Sequence, residues 1–158
     1  MSTRLIIIPT PLVSLSSCVF RVTLTNVELV TVVAGGPLKA GAIWSNAARQ
    51  EQLSAIVDTY EMIMLPQGSF HYVFNDNCER AVTVNAFSSD DPGILNLAQT
   101  FFKFSPDILN GTMNYPHDLN GVPVGEFKKQ IPPSYTLGSE ACLKRCGIDK
   151  AVIGTPST

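Results

Sequence analysis

Two histidines occur in the chain, and one of them stands where an imidazole could act inside a barrel. His71 belongs to the run Leu65-Pro66-Gln67-Gly68-Ser69-Phe70-His71-Tyr72-Val73-Phe74-Asn75. Pro66 and Gly68 reverse the chain ahead of it, because proline pre-sets a turn and glycine accepts a positive φ. Side chains alternate along a strand, so His71, Val73 and Asn75 share one face and Phe70, Tyr72 and Phe74 the other. A histidine on the face of a β-branched residue presents its ring to the interior of a small β-barrel, as an ordinary core histidine or as a ligand. The second histidine, in Asn114-Tyr115-Pro116-His117-Asp118, reads as an exposed loop residue, with a substitute-ligand role as the alternative. No Ser-His-Asp or Cys-His arrangement follows from spacing, and no glycine-rich phosphate loop follows a strand. Asp90-Asp91 could be mistaken for paired catalytic carboxylates. Ahead of Pro92-Gly93 the pair is a turn or capping device.

Four cysteines allow two disulfides in three connectivities. Cys142 and Cys146 lie four apart in the helical segment Ser139-Glu140-Ala141-Cys142-Leu143-Lys144-Arg145-Cys146-Gly147, which puts both sulfurs on one helix face. A zinc site is the less favoured reading, since zinc pairs come as C-x2–4-C with further Cys or His ligands nearby, and His117 is the only other imidazole besides His71. Disulfides are the preferred reading, with Cys78 and one of Cys142 or Cys146 as the expected partners. Asn110-Gly111-Thr112 is a glycosylation sequon at Asn110, which fits an exported protein.

The elements that must position these residues are strands. Val19 to Val33 is built of β-formers, with Asn26 marking a turn between two strands. Ala34-Gly35-Gly36-Pro37 turns again, and Leu38 to Trp44 alternates as a strand. Ser45 to Ser54 is polar and reads as loop or brief helix. Tyr60 to Leu65 and the His71 segment are strands, Asn75-Asp76-Asn77 is a turn, and Arg80 to Phe87 alternates, with Ala81, Thr83, Asn85 and Phe87 opposite Val82, Val84 and Ala86. Short strands punctuated by Gly, Pro and Asn indicate a β-sandwich or barrel. Beyond Pro92-Gly93 the character changes: Leu95 to Phe104 is apolar, Ser105-Pro106-Asp107 caps a helix, Pro123 to Ile131 repeats the device, and Gly147 ends the cysteine-bearing helix. Ala151 to Thr158 reads as a frayed tail.

Length and charge bound the function. The chain has 158 residues, enough for one domain with a real core. Charged residues make up 15%, below the ~25% usual for soluble domains, which points to partner-covered surface or an extracellular protein. Net charge is -2 with no basic stripe, so nucleic-acid binding has no support. No stretch reaches the ~18 apolar residues of a membrane span. Met1-Ser2-Thr3-Arg4 followed by Leu5-Ile6-Ile7-Ile8 starts like a signal peptide, but Pro9 and Pro11 break the apolar run.

The spacing Pro66-x4-His71-x3-Asn75 resembles the second signature motif of the cupins. The continuation Cys78-Glu79-Arg80-Ala81-Val82-Thr83-Val84-Asn85-Ala86-Phe87-Ser88-Ser89-Asp90-Asp91-Pro92-Gly93 resembles germin-like proteins of the fungal spherulin type. Their first motif carries His-x-His, then a glutamate, then a glycine after six intervening residues. Glu28 and Gly35 match its end, whereas Arg21 and Thr23 occupy the His-x-His positions. The resemblance covers roughly Leu24 to Ile148. It implies an all-β double-stranded β-helix, a jelly-roll-like barrel with C-terminal α-helices. The implied organisation is a divergent segment at 1–18 (at most a degraded signal peptide), a cupin type-1 domain with a helical extension at 19–148, and a tail at 149–158. The section such proteins carry ahead of their first motif is expected to be missing.

In the family three imidazoles and one carboxylate hold manganese. Here Glu28 and His71 are the implied metal residues, two of the four, and Arg21 brings a positive charge toward the cation or an ion pair to Glu28. The resemblance therefore implies a secreted cupin with a degenerate manganese site and weak or absent catalysis. The alternatives are an active manganese-dependent oxidoreductase of the oxalate oxidase or superoxide dismutase type, and a non-enzymatic structural or storage cupin. A homo-oligomer is implied as well, with Leu95 to Phe104 as the expected contact segment.

Overall fold

The computed structural model describes residues 13–27, 29–44, 51–119, 121–132 and 136–149. Alternating β-branched and apolar residues build β1 (Val13–Leu15), β2 (Val19–Leu24), β3 (Leu29–Gly35) and β4 (Leu38–Ile43). They continue in β5 (Gln52–Val57), β6 (Met62–Leu65), β7 (Phe70–Asn75) and β8 (Ala81–Phe87). After these the chain makes the short β9 (Leu95–Asn96) and helices α1 (Leu97–Phe101) and α2 (Pro106–Thr112). A small hairpin of β10 (Asp118–Leu119) and β11 (Val122–Pro123) leads into α3 (Val124–Lys129), then β12 (Thr136–Leu137) and α4 (Glu140–Arg145).

Two antiparallel sheets make the barrel, one in the order β1-β8-β3-β6 and the other β12-β2-β7-β4-β5 with β9 added beside β2. The alternation expected in β8 holds: Ala81, Thr83 and Phe87 are buried, while Val84 is exposed. Leu15, Val33 and Ala81 of one sheet pack on Leu38, Ala40 and Val57 of the other. A second cluster joins Val27, Leu29, Leu65 and Phe87 to Ala42. At 20–33 cal/mol per Å2 of apolar area removed from water, these contacts are the main force holding the sheets face to face.

Two features depart from the sequence expectation. Residues 52–54, expected as loop or brief helix, lie in β5. That strand is an edge, exposed at every residue but Val57, and is held by pairing with β4 from Leu38↔Val57 to Ile43↔Gln52. Backbone hydrogen bonding fixes it without a buried stripe. The other sheet takes in residues ahead of Val19, since β1 pairs with β8 from Val13↔Thr83 to Leu15↔Ala81.

The C-terminal helices follow their capping signals. Ser105 precedes α2 with Pro106 in its first turn, and the Ser139 hydroxyl accepts from Cys142 N at the start of α4. Gly147, at φ 65°, ends α4 in the left-handed conformation that side chains disfavour. Two disulfides tie α4 to the barrel, Cys18–Cys142 and Cys78–Cys146. The expected partnership of Cys78 with the C-terminal pair is thus present, and Cys18 completes the set. The tail expected at residues 151–158 lies outside the described residues.

Candidate functional site

The Pro66 turn aims His71. Gly68 adopts φ 72°, and the Ser69 hydroxyl donates to Pro66 O at 2.6 Å, closing the turn directly before β7. In β7, His71 and Asn75 are buried while Phe70 is exposed, as the alternation requires. On its sheet His71 has Thr23 of β2 on one side and Ala42 of β4 on the other. The residue is 3% exposed.

Both ring nitrogens are engaged. Nδ1 lies 3.1 Å from Ser69 O and Nε2 lies 2.9 Å from the Thr23 hydroxyl. A carbonyl oxygen only accepts, so Nδ1 carries the hydrogen. In the neutral ring Nε2 then presents its lone pair inward and accepts from Thr23 Oγ1. Burial is the main force holding the His71 pKa below its ordinary value of 6.5; the Ser69 carbonyl opposes it, and the Arg21 charge adds to the lowering. The imidazole is therefore neutral near pH 7.

Arg21, two residues before Thr23 on the same face of β2, donates from Nε to Asn96 Oδ1 at 2.8 Å. Asn96 lies in β9 opposite Thr23. Thr31 and Thr83 add buried hydroxyls from the inner face of the other sheet. Among the described residues, the interior at this level thus brings together one neutral imidazole, hydroxyls, the amides of Asn96 and Asn85, and a guanidinium.

A divalent cation fits this set poorly. To reach Nε2 it would displace the Thr23 hydroxyl and approach the Arg21 charge that the imidazole already feels. Glu28, the other expected ligand, lies outside the described residues.

The remaining sequence candidates fall elsewhere. The side chain of His117 is 96% exposed beside Asp118, outside the barrel. Asp91 accepts from Gly93 N at 3.3 Å, so the Asp90-Asp91 pair serves its turn. Asn110 stands half-buried within α2, its carbonyl accepting from Tyr115 N at 2.7 Å. The sulfurs of Cys18, Cys142 and Cys146 converge within 4.8 Å, but all three are consumed in disulfides.

Asn75 is structural. Fully buried, its Nδ2 reaches Leu15 O at 3.1 Å, Ser16 O at 3.1 Å and Glu79 O at 2.8 Å, while its Oδ1 accepts from Asn77 N at 3.1 Å. One amide ties the end of β1 to the β7–β8 turn. Sequence reasoning missed Thr23 as the partner of His71. The available signal was two inward positions on neighbouring antiparallel strands, one of them a hydroxyl.

Two antiparallel sheets closed around a histidine delivered by a Pro-x-Gly turn define a cupin barrel, and the chain belongs to the cupin family, whose profile matches residues 19–120. Within that family it is a spherulin-like and germin-like chain. Spherulin-1A of Physarum polycephalum is 30% identical over 118 residues, covering 75% of this chain and 46% of that protein. Putative germin-like protein 3-2 of Oryza sativa subsp. japonica is 26% identical over 106 residues, covering 67% and 46%. The chain spans about half the length of the curated relatives it matches.

Among solved structures, recombinant oxalate oxidase in complex with glycolate superposes with a TM-score of 0.60 at 21% identity, over 64% of this chain and 53% of that one. Oxalate decarboxylase from Bacillus subtilis superposes at 0.65 and 14% identity, over 81% and 32%. Both likenesses are of fold.

Proposed function

We propose that this is a secreted, homo-oligomeric germin-like cupin whose inner site has exchanged metal coordination for a hydrogen bond, leaving catalysis weak or absent. The observation that carries this reading is the contact between Thr23 Oγ1 and His71 Nε2 at 2.9 Å. It occupies the lone pair that a metal would need, at a position where the family resemblance expects a second imidazole. Arg21 at the other such position replaces a neutral ligand by a cation. Glu28 and His71 remain as two ligands of four, and affinity falls steeply when half the donor set is lost. A neutral imidazole held by Ser69 and Thr23 is suited to fixing the shape of the barrel interior, as a structural or storage cupin would use it. The rival is a manganese-dependent oxidoreductase, since a solved neighbour of the same fold, Bacillus subtilis oxalate decarboxylase, has Mn(II) centers.

Secretion is supported by the two disulfides, which persist in oxidising compartments. Association is supported by the outer face of the β1-β8-β3-β6 sheet. Val30 and Val32 stand there beside Met64 and Met62 of β6 and beside Ala86 and Val84 of β8, with no charged side chain among them. Met62 and Met64 are more than 60% exposed. Apolar surface of this continuity marks a contact site. The expected segment 95–104 is a second candidate: Phe101 packs edge-to-face on Phe102 and Phe104, and Phe102 rests on Phe127 of α3, while Leu95, Leu97 and Phe104 stay exposed.

Elemental analysis after equilibration with manganese and removal of the excess tests the reading. The expected result is clearly less than one manganese per chain. One manganese per chain, lost on His71→Ala, overturns it.

A further inference from the structure

The two disulfides meet at α4. Cys142 within the helix and Cys146 at its end bind Cys18, just ahead of β2, and Cys78, just after β7. The sulfurs of Cys18, Cys142 and Cys146 all lie within 4.8 Å of one another, so Cys146 of one bridge is already beside the other bridge. The bridges differ in access. Cys18 and Cys142 have 0% exposure and pack with Leu143, Phe74, Leu137 and Ile148. Cys78 is exposed and Cys146 half-buried. A thiolate arriving from solution can therefore reach Cys78 but not the buried pair. Cys18 is also held at φ 52°, a left-handed conformation disfavoured for a side-chain-bearing residue.

We propose that Cys78 is a thiol-exchange site for small thiols of the glutathione class, and that Cys146 relays the exchange to the buried bridge. In the first step the small thiolate attacks Cys78 Sγ. A new S–S bond joins it to Cys78, the Cys78–Cys146 bond breaks, and the electron pair leaves on Cys146 as a thiolate. In the second step Cys146 Sγ attacks a sulfur of the Cys18–Cys142 bridge. A bond forms from Cys146 to Cys142 or Cys18, and the other cysteine of that pair leaves as the thiolate. Each step exchanges one S–S bond for another, so neither changes the overall oxidation level. A second small thiol then attacks the adduct, leaving Cys78 as a thiol and forming the small-molecule disulfide. The protein has then lost one bridge, and the opening has passed from the surface to the interior: α4 is freed from the start of β2 where Cys146 bonds Cys142, and stays tied to it through Cys146 where Cys146 bonds Cys18.

Comparing Cys78→Ser with Cys146→Ser tests the relay, because both variants lose the same bridge and differ only in which thiol remains. The proteins are purified without reductant, held at mildly alkaline pH, alkylated under acid quench and mapped as peptides. Cys78→Ser should show Cys146 linked to Cys18 or Cys142, with the displaced cysteine alkylated. Cys146→Ser should keep Cys18–Cys142 intact and alkylate Cys78 alone. An intact Cys18–Cys142 bridge in both variants overturns the relay. Wild-type protein given a short pulse of glutathione provides a measurement that needs no variant to fold. The adduct should appear on Cys78 before Cys18 or Cys142 becomes alkylatable, and opening of the buried bridge without prior modification of Cys78 also overturns the proposal.

Discussion

Replacing Thr23 by valine removes one hydroxyl and keeps the branched shape that suits a strand. Thr23 is 7% exposed and His71 3%, so water cannot take the place of the lost donor. Two costs compete. The hydrogen bond itself is worth about 0.5–1.5 kcal/mol net, whereas a buried acceptor left unsatisfied costs about 1–3 kcal/mol. The second dominates, because the Nδ1 bond to Ser69 fixes the ring and keeps Nε2 from turning to another donor. Urea denaturation with the disulfides intact should show Thr23→Val destabilised by about 1–3 kcal/mol, through a lower midpoint at an unchanged m-value.

The pH profile follows from the same site. His71 is depressed below 6.5 in the folded state, so the unfolded chain binds the proton more tightly. Stability is then full above about pH 6.5 and declines as pH falls through that value toward the lowered native pKa, by no more than about 1.4 kcal/mol per pH unit for one proton. Burial, the leading cause of the shift, survives in Thr23→Val, so the decline persists there and disappears in His71→Gln. A midpoint in Thr23→Val equal to wild type within error refutes the claim that the hydroxyl satisfies Nε2.

Three other outcomes are expected. Asn75→Ala should cost on the order of 3 kcal/mol in the same urea assay, since it strands backbone groups at the end of β1 and in the β7–β8 turn. Asp76→Asn should cost on the order of 1 kcal/mol or less, because Asp76 pairs with Lys39 and Arg145, which are about half exposed and screened. The Lys39 hydrogen bond leads in holding the Asp76 carboxyl below 3.8, so its stabilisation is present above that pH and is lost as pH falls through the lowered native value, a loss seen by acid titration and absent in the variant. Val32→Lys, at the middle of the apolar outer face, should convert a dimer or larger assembly to monomer by light scattering; a wild type that is monomeric throughout the micromolar range sinks the association proposal.

The barrel was legible where burial imposes a period of two. The residues of β7 and β8 announce their faces because one face of each is packed on the core. Strand β5 was illegible for the complementary reason: an edge strand with Leu53 and Ile56 exposed carries no stripe, and only its partner β4 fixes it. Cys18 gave no local signal because its partner is 124 residues away, and proximity across that span is a product of the fold. His71 could be placed inside the barrel from alternation alone, but its hydrogen-bond partner required the register of β2 against β7. Arg21 and Thr23 were legible as departures from a ligand pattern. What Thr23 does in that place was written only in three dimensions.

The central claim, that Thr23 holds the His71 lone pair a metal would need, is tested most directly by long-range proton–nitrogen correlation of the His71 ring, recorded before and after one equivalent of manganese. The account predicts a neutral ring with the hydrogen on Nδ1 and signals that keep their intensity when manganese is added. Selective broadening of the His71 signals at one equivalent, absent in the ring of His117, would contradict it.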